Sequence, residues 1–79
     1  MDLWIRSQDR TFLRKVNTIG IVEGRNFWSI DENLTVSFGK YKTKERALEV
    51  LDEIQTKINN IANMDDENFI NVVYIMPKE

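Results

Sequence analysis

The sequence predicts a small α+β fold: an antiparallel sheet or partly open barrel of about five short strands, one amphipathic helix over one side, and one closing strand. Three observations predict it. Residues 3–38 fall into short β-rich runs separated by polar turns, residues 44–61 repeat apolar side chains at helical spacing, and residues 69–76 return to β-branched and aromatic composition.

Leu3-Trp4-Ile5-Arg6 opens the series as a short strand and Ser7-Gln8-Asp9-Arg10 breaks it. Residues 12–16 and 19–23 read as the next two strands, parted by Asn17-Thr18. Glu23-Gly24-Arg25-Asn26 reads as a hairpin turn, because glycine takes the positive φ that tight turns need. Residues 27–30 follow as a strand, and Asp31-Glu32-Asn33 as a second turn. In residues 34–38, Leu34, Val36 and Phe38 alternate with Thr35 and Ser37, the period of a strand with one buried face.

Thr43 is placed to cap the helix, its hydroxyl accepting from a first-turn amide that has no intrahelical partner. Glu45 suits the positive end of the helix dipole. Ala47, Leu48, Val50, Leu51, Ile54, Ile58 and Ile61 supply an apolar stripe that needs a sheet to cover it. Asn59-Asn60 begins to fray the helix, and the acidic turn at residues 63–68 leads to the last, buried strand at 69–76.

A chain of 79 residues has room for a single domain with a modest core. It has no cysteine and no histidine, so disulfides and the usual zinc ligand sets are excluded as supports. Packing holds the fold, with self-association as a further source of buried surface. Met1-Asp2-Leu3-Trp4 lacks the basic stretch and apolar run of a secretory signal, and no apolar run has the length of a membrane span, which predicts a cytoplasmic protein. The net charge of -2 is unevenly spread. Residues 1–46 carry nine Lys and Arg against six Asp and Glu, and residues 47–79 carry two against seven, so the front half is +3 and the back half -5.

The segments Trp4-Ile5-Arg6-Ser7-Gln8, Tyr41 to Gln55 (YKTKERALEVLDEIQ) and Met76-Pro77-Lys78-Glu79 together resemble a group of small uncharacterised proteins of bacterial genomes and their prophages or other mobile elements. The resemblance spans the chain except for residues 17–38. It implies a cytoplasmic setting and an accessory role in host or phage biology, and brings no catalytic or ligand-binding residues with it.

Enzyme chemistry has little to work with. Histidine and cysteine, the commonest general base and a common nucleophile, are missing. Asp31-Glu32 and Asp65-Asp66-Glu67 lack the loop spacing of an EF-hand and read as solvated turns, while Gly20, Gly24 and Gly39 are too scattered to cradle a phosphate. No catalytic residue, metal or cofactor is expected. A protein-interaction module remains the first reading, binding a protein partner or a second copy of itself through an open sheet edge. Trp28 with neighbouring Arg25 is a candidate anchor, since tryptophan and arginine carry much interface energy. Trp28 as a core residue, with Phe27 outside, is the alternative. Lys40, Lys42, Lys44 and Arg46 form a basic cluster where the helix dipole disfavours cations, which makes them candidate partner-binding residues. The runner-up is weak nucleic-acid binding through residues 6–15, where Arg6, Arg10, Arg14 and Lys15 interleave with Trp4 and Phe12, together with residues 40–46. The sequence pI near 5.1 and the lack of any recognised nucleic-acid signature weigh against it.

Overall fold

A computed structural model describes residues 2–62 and 71–79. The elements run β1 (Asp2–Arg6), β2 (Leu13–Val16), β3 (Ile19–Glu23), β4 (Trp28–Glu32), β5 (Val36–Tyr41), α1 (Lys44–Ala62) and β6 (Asn71–Ile75). This is the expected α+β order of five strands, one helix and one closing strand. The acidic turn at 63–68 and the beginning of the final run, Phe69 and Ile70, lie outside the described residues.

The strands form two small sheets rather than one, in the orders β2-β1-β6 and β3-β4-β5, and the described strands make no closed barrel. Three of the strand pairings described are hairpin-like and antiparallel. The fourth is parallel: β6 lies beside β1 with Leu3 opposite Val72 and Ile5 opposite Tyr74. The physical reason is the helix. A strand reached through a helical crossover can return in the same direction as its neighbour, which a tight hairpin cannot arrange.

Both sheets turn apolar faces toward one core. Ile5, Val16 and Tyr74 meet Ile30, Phe38 and Tyr41, with Ala47, Val50 and Ile54 of α1 and Met76 completing the cluster. A fully buried side chain such as Phe38 contributes roughly 2–3 kcal/mol. Thr43 caps α1 as expected, its Oγ1 accepting from the Arg46 amide at 3.1 Å. Leu48 departs from the predicted stripe and stays exposed, because it lies about 100° round the helix from Ala47. No described helix is long and apolar enough to cross a membrane.

Two turns differ from expectation. No glycine takes a positive φ. Gly24 serves instead by having no side chain, because a Cβ there would lie 2.3 Å from the Phe27 ring. The second turn is shifted along the chain: β4 continues through Asp31 and Glu32, and Asn33 (φ 47°) and Leu34 (φ 64°) form the bend. The Thr35 amide closes it on the Glu32 carbonyl at 2.9 Å. Consecutive left-handed residues match the twist of the flanking strands, which favours this turn over the one expected at 31–33. Leu34 therefore leaves the core and is 78 % exposed.

Candidate functional site

The chain after β6 is held by side chains from distant parts of the sequence. The Met76 carbonyl accepts from Arg10 Nη1 at 2.6 Å and the Pro77 carbonyl from the Tyr41 hydroxyl at 2.9 Å. The Lys78 carbonyl accepts from Gln8 Nε2 at 2.8 Å, and the Glu79 carbonyl from Arg46 Nε at 2.8 Å. The Met76 amide in turn donates to the Arg6 carbonyl at 3.1 Å. The opening segment, the segment entering the helix and the final segment thus converge in space.

The turn after β1 is built to present Gln8 and Arg10. Arg10 sits in the left-handed region with φ 69°, its amide bonded to the Ser7 carbonyl at 3.0 Å and its own carbonyl to Arg6 Nε at 3.0 Å. Asp9 gathers the rest: one carboxylate oxygen accepts from the Ser7 hydroxyl, the Thr11 hydroxyl and the Thr11 amide. These bonds, the Thr11 hydroxyl foremost and then the Ser7 hydroxyl, draw the Asp9 pKa down to about 2. Gln8 reaches across to the other sheet. Its backbone amide donates to the Phe38 carbonyl at 2.7 Å, and its carboxamide bonds both backbone groups of Lys40.

Against this junction lies a cleft of about 310 Å³ lined by Lys40, Tyr41, Lys42, Arg46, Lys78 and Glu79. Three of the four cations expected to form the basic cluster are brought together, and Lys78 joins them. Lys44 does not line the cleft; its ammonium lies 5.6 Å from the Trp28 ring. Arg25 is exposed in the β3–β4 turn and also stands apart. Trp28 is half-buried and packs against the core at its rim, opposite Tyr41 in the sheet register. Phe27 is half-buried as well, apart from the core cluster and beneath the Lys40 ammonium at 4.5 Å.

The cations of the cleft differ in how they are held. Arg46 is committed to the fold: besides the Glu79 carbonyl it approaches Glu49 at 3.8 Å and Glu53 at 3.9 Å, and its guanidinium lies 6.0 Å from the Tyr41 ring. Those contacts resolve the placement of a cation at the helix start, because local carboxylates and a ring offset the unfavourable end of the dipole. Lys42 and Lys78 make no ion pair with any described residue. The wall behind them includes the buried Tyr41 ring. Burial pushes the Tyr41 phenol up to about 12, against a smaller opposing effect from Arg46. Burial also raises Tyr74, helped by the bond from its hydroxyl to Glu53 Oε2 at 2.7 Å.

The other basic stretch is dispersed. Arg14 approaches Glu32 at 3.3 Å, Lys15 approaches Asp2 at 3.9 Å, and Arg10 is spent on the Met76 and Ser7 carbonyls. Successive residues of β1 and β2 point to opposite faces of their sheet, so residues 6–15 present no single track. Among the described residues, only Glu32 of the acidic pair Asp31-Glu32 has a cation, and Asp31 Oδ1 is buried without a hydrogen-bond partner. Among the described residues no three carboxylates converge as metal ligands.

Neither Gln8 nor Lys78 is singled out by the sequence pattern. Gln8 is joined to Lys40 across 32 residues and to Lys78 across 70, separations at which no local spacing rule operates. No family model matches the chain, and no curated protein or solved structure matches it either.

Proposed function

We propose that this chain is a non-enzymatic protein-interaction module whose basic cleft takes a carboxylate-rich segment of a partner protein. One observation carries the reading: Lys42 and Lys78 stand at the mouth of the cleft without an ion-pair partner among the described residues, beside Lys40 and Arg46. Unpaired lysines at a concave site favour an incoming anion by charge complementarity. A short acidic peptide suits it better than a nucleic-acid strand. The cation patch is small, the exposed side of the adjoining helix carries Glu49, Asp52 and Glu53, and the Tyr41 ring that lines the cleft already has the Arg46 guanidinium 6.0 Å from it. An extended polyanion would meet repulsion beyond the cleft and little surface for base stacking. The resemblance of the opening, central and final segments to prophage and mobile-element proteins supports an accessory or inhibitor role of this kind in the bacterial cytoplasm.

The test is fluorescence anisotropy with two labelled probes of equal charge, a Glu- and Asp-rich peptide and an oligothymidylate. The peptide binds saturably, and Lys42→Glu combined with Lys78→Glu weakens it by at least about tenfold, or 1.4 kcal/mol. Tighter binding of the oligothymidylate with a steep salt dependence replaces the reading with nucleic-acid recognition. Binding unaffected by the charge reversals removes the cleft from the account.

A further inference from the structure

We infer that β6 is a self-association edge, and that two copies of this chain pair β6 against β6 antiparallel about a twofold axis at Val73. β6 pairs only with β1, and no other described strand lies along its far edge. Edge strands are normally defended by charge, proline or a bulge. Asn71-Val72-Val73-Tyr74-Ile75 has none of these, and Val73 and Ile75 are 42 % and 55 % exposed. The opposite edge of the same sheet is defended: β2 carries Arg14 and Lys15 in succession. In the second sheet, Gln8 occupies the free backbone groups of β5 at Lys40.

The backbone pattern fixes the register. Because the Met76 amide points to the Arg6 carbonyl, alternation along the strand turns the backbone groups of Val72 and Tyr74 toward β1 and those of Asn71, Val73 and Ile75 toward the far edge. An antiparallel copy centred on Val73 sets Val73 opposite itself and Asn71 opposite Ile75 of the second copy. Each such position exchanges an amide and a carbonyl with its opposite.

A second copy suits the edge because the helix beside it is charged in a self-complementary way. α1 packs against β6. Glu53 takes the Tyr74 hydroxyl and the Lys57 ammonium lies 6.0 Å from the Tyr74 ring. The twofold axis reverses one helix relative to the other, which brings Glu53 of each copy toward Lys57 of its mate. The contact is isologous and closed, so it ends at a dimer.

Sedimentation equilibrium of the full chain from about 5 µM to about 500 µM reads this directly, since a weak dimer is a concentration-dependent species. The mass rises from 9.4 kDa toward twice that value. Val73→Pro removes only the outward amide and is tolerated on an edge strand, so it holds the mass at the monomer value while circular dichroism stays native. Should that variant unfold, Val73→Lys gives the same reading by placing like charges face to face, and Val73→Thr restores the dimer. A wild type that stays monomeric throughout, or a dimer that persists in folded Val73→Pro or Val73→Lys, overturns the assignment.

Discussion

The Gln8 carboxamide pairs with both backbone groups of Lys40, donating from Nε2 to its carbonyl at 3.0 Å and accepting its amide at Oε1 at 2.9 Å. A side chain thereby does what a neighbouring strand does, and it joins the end of β5 to the turn after β1. The same Nε2 also reaches the Lys78 carbonyl, so one residue ties together both sheets and the final segment. Each net bond is worth about 1 kcal/mol. Gln8→Ala, which removes three such bonds, therefore lowers stability by about 3 kcal/mol in urea unfolding. Gln8→Glu costs more at neutral pH, because one donor becomes a charged oxygen facing two carbonyls. Equal stability of the two variants would mean that the carboxamide is not engaged in this way.

Leu34 occupies a left-handed turn position with its side chain in solvent. Glycine has no Cβ to strain there, and the left-handed conformation costs other residues roughly 1–2 kcal/mol. Leu34→Gly raises the unfolding free energy by about 1 kcal/mol and lowers non-specific association. Destabilisation would place Leu34 against the core, as its alternation with Val36 and Phe38 first suggests.

Asp9 gives the fold an acid limit. Its carboxylate is held near 2, below its ordinary 3.8, so its contribution is complete above about pH 4 and is lost as pH falls through 2. Asp9→Asn flattens the pH dependence of stability in that window, as thermal unfolding at successive pH values will show. An unchanged acid slope would separate Asp9 from acid unfolding.

At the alkaline end the sign is reversed. Tyr41 and Tyr74 are the chain's two tyrosines and both are raised above 10. Neutral phenols favour the fold below pH 10, and that contribution is lost as pH rises through about 12. Ultraviolet titration of the folded protein shows no phenolate at pH 10, and ionisation then coincides with unfolding. A transition at pH 10 in folded protein would mean that one hydroxyl is free.

Much of the architecture is legible in the residues because it is set locally. The apolar spacing from Ala47 to Ile58 and the Thr43 cap define the helix, and β-branched runs define the strands. The turn at Asn33-Leu34 is not legible, since Asp31 and Glu32 have turn composition and only their pairing with β3 and β5 draws them into β4. The division into two sheets and the parallel entry of β6 depend on contacts across the whole chain. The cleft is half legible: Lys40, Lys42 and Arg46 are neighbours in sequence, whereas Lys78 arrives only through the bonds that hold residues 76–79. Residues 6–15 show the converse, a basic stretch in sequence that strand alternation and ion pairs disperse.

Carboxylate recognition by the basic cleft can be read residue by residue in a titration of the isotope-labelled chain with a Glu-rich peptide. Saturable amide shifts at Lys40, Lys42, Arg46 and Lys78, abolished by Lys42→Glu with Lys78→Glu, are the predicted result. Shifts confined to other surfaces, or none while the protein remains folded, would contradict it.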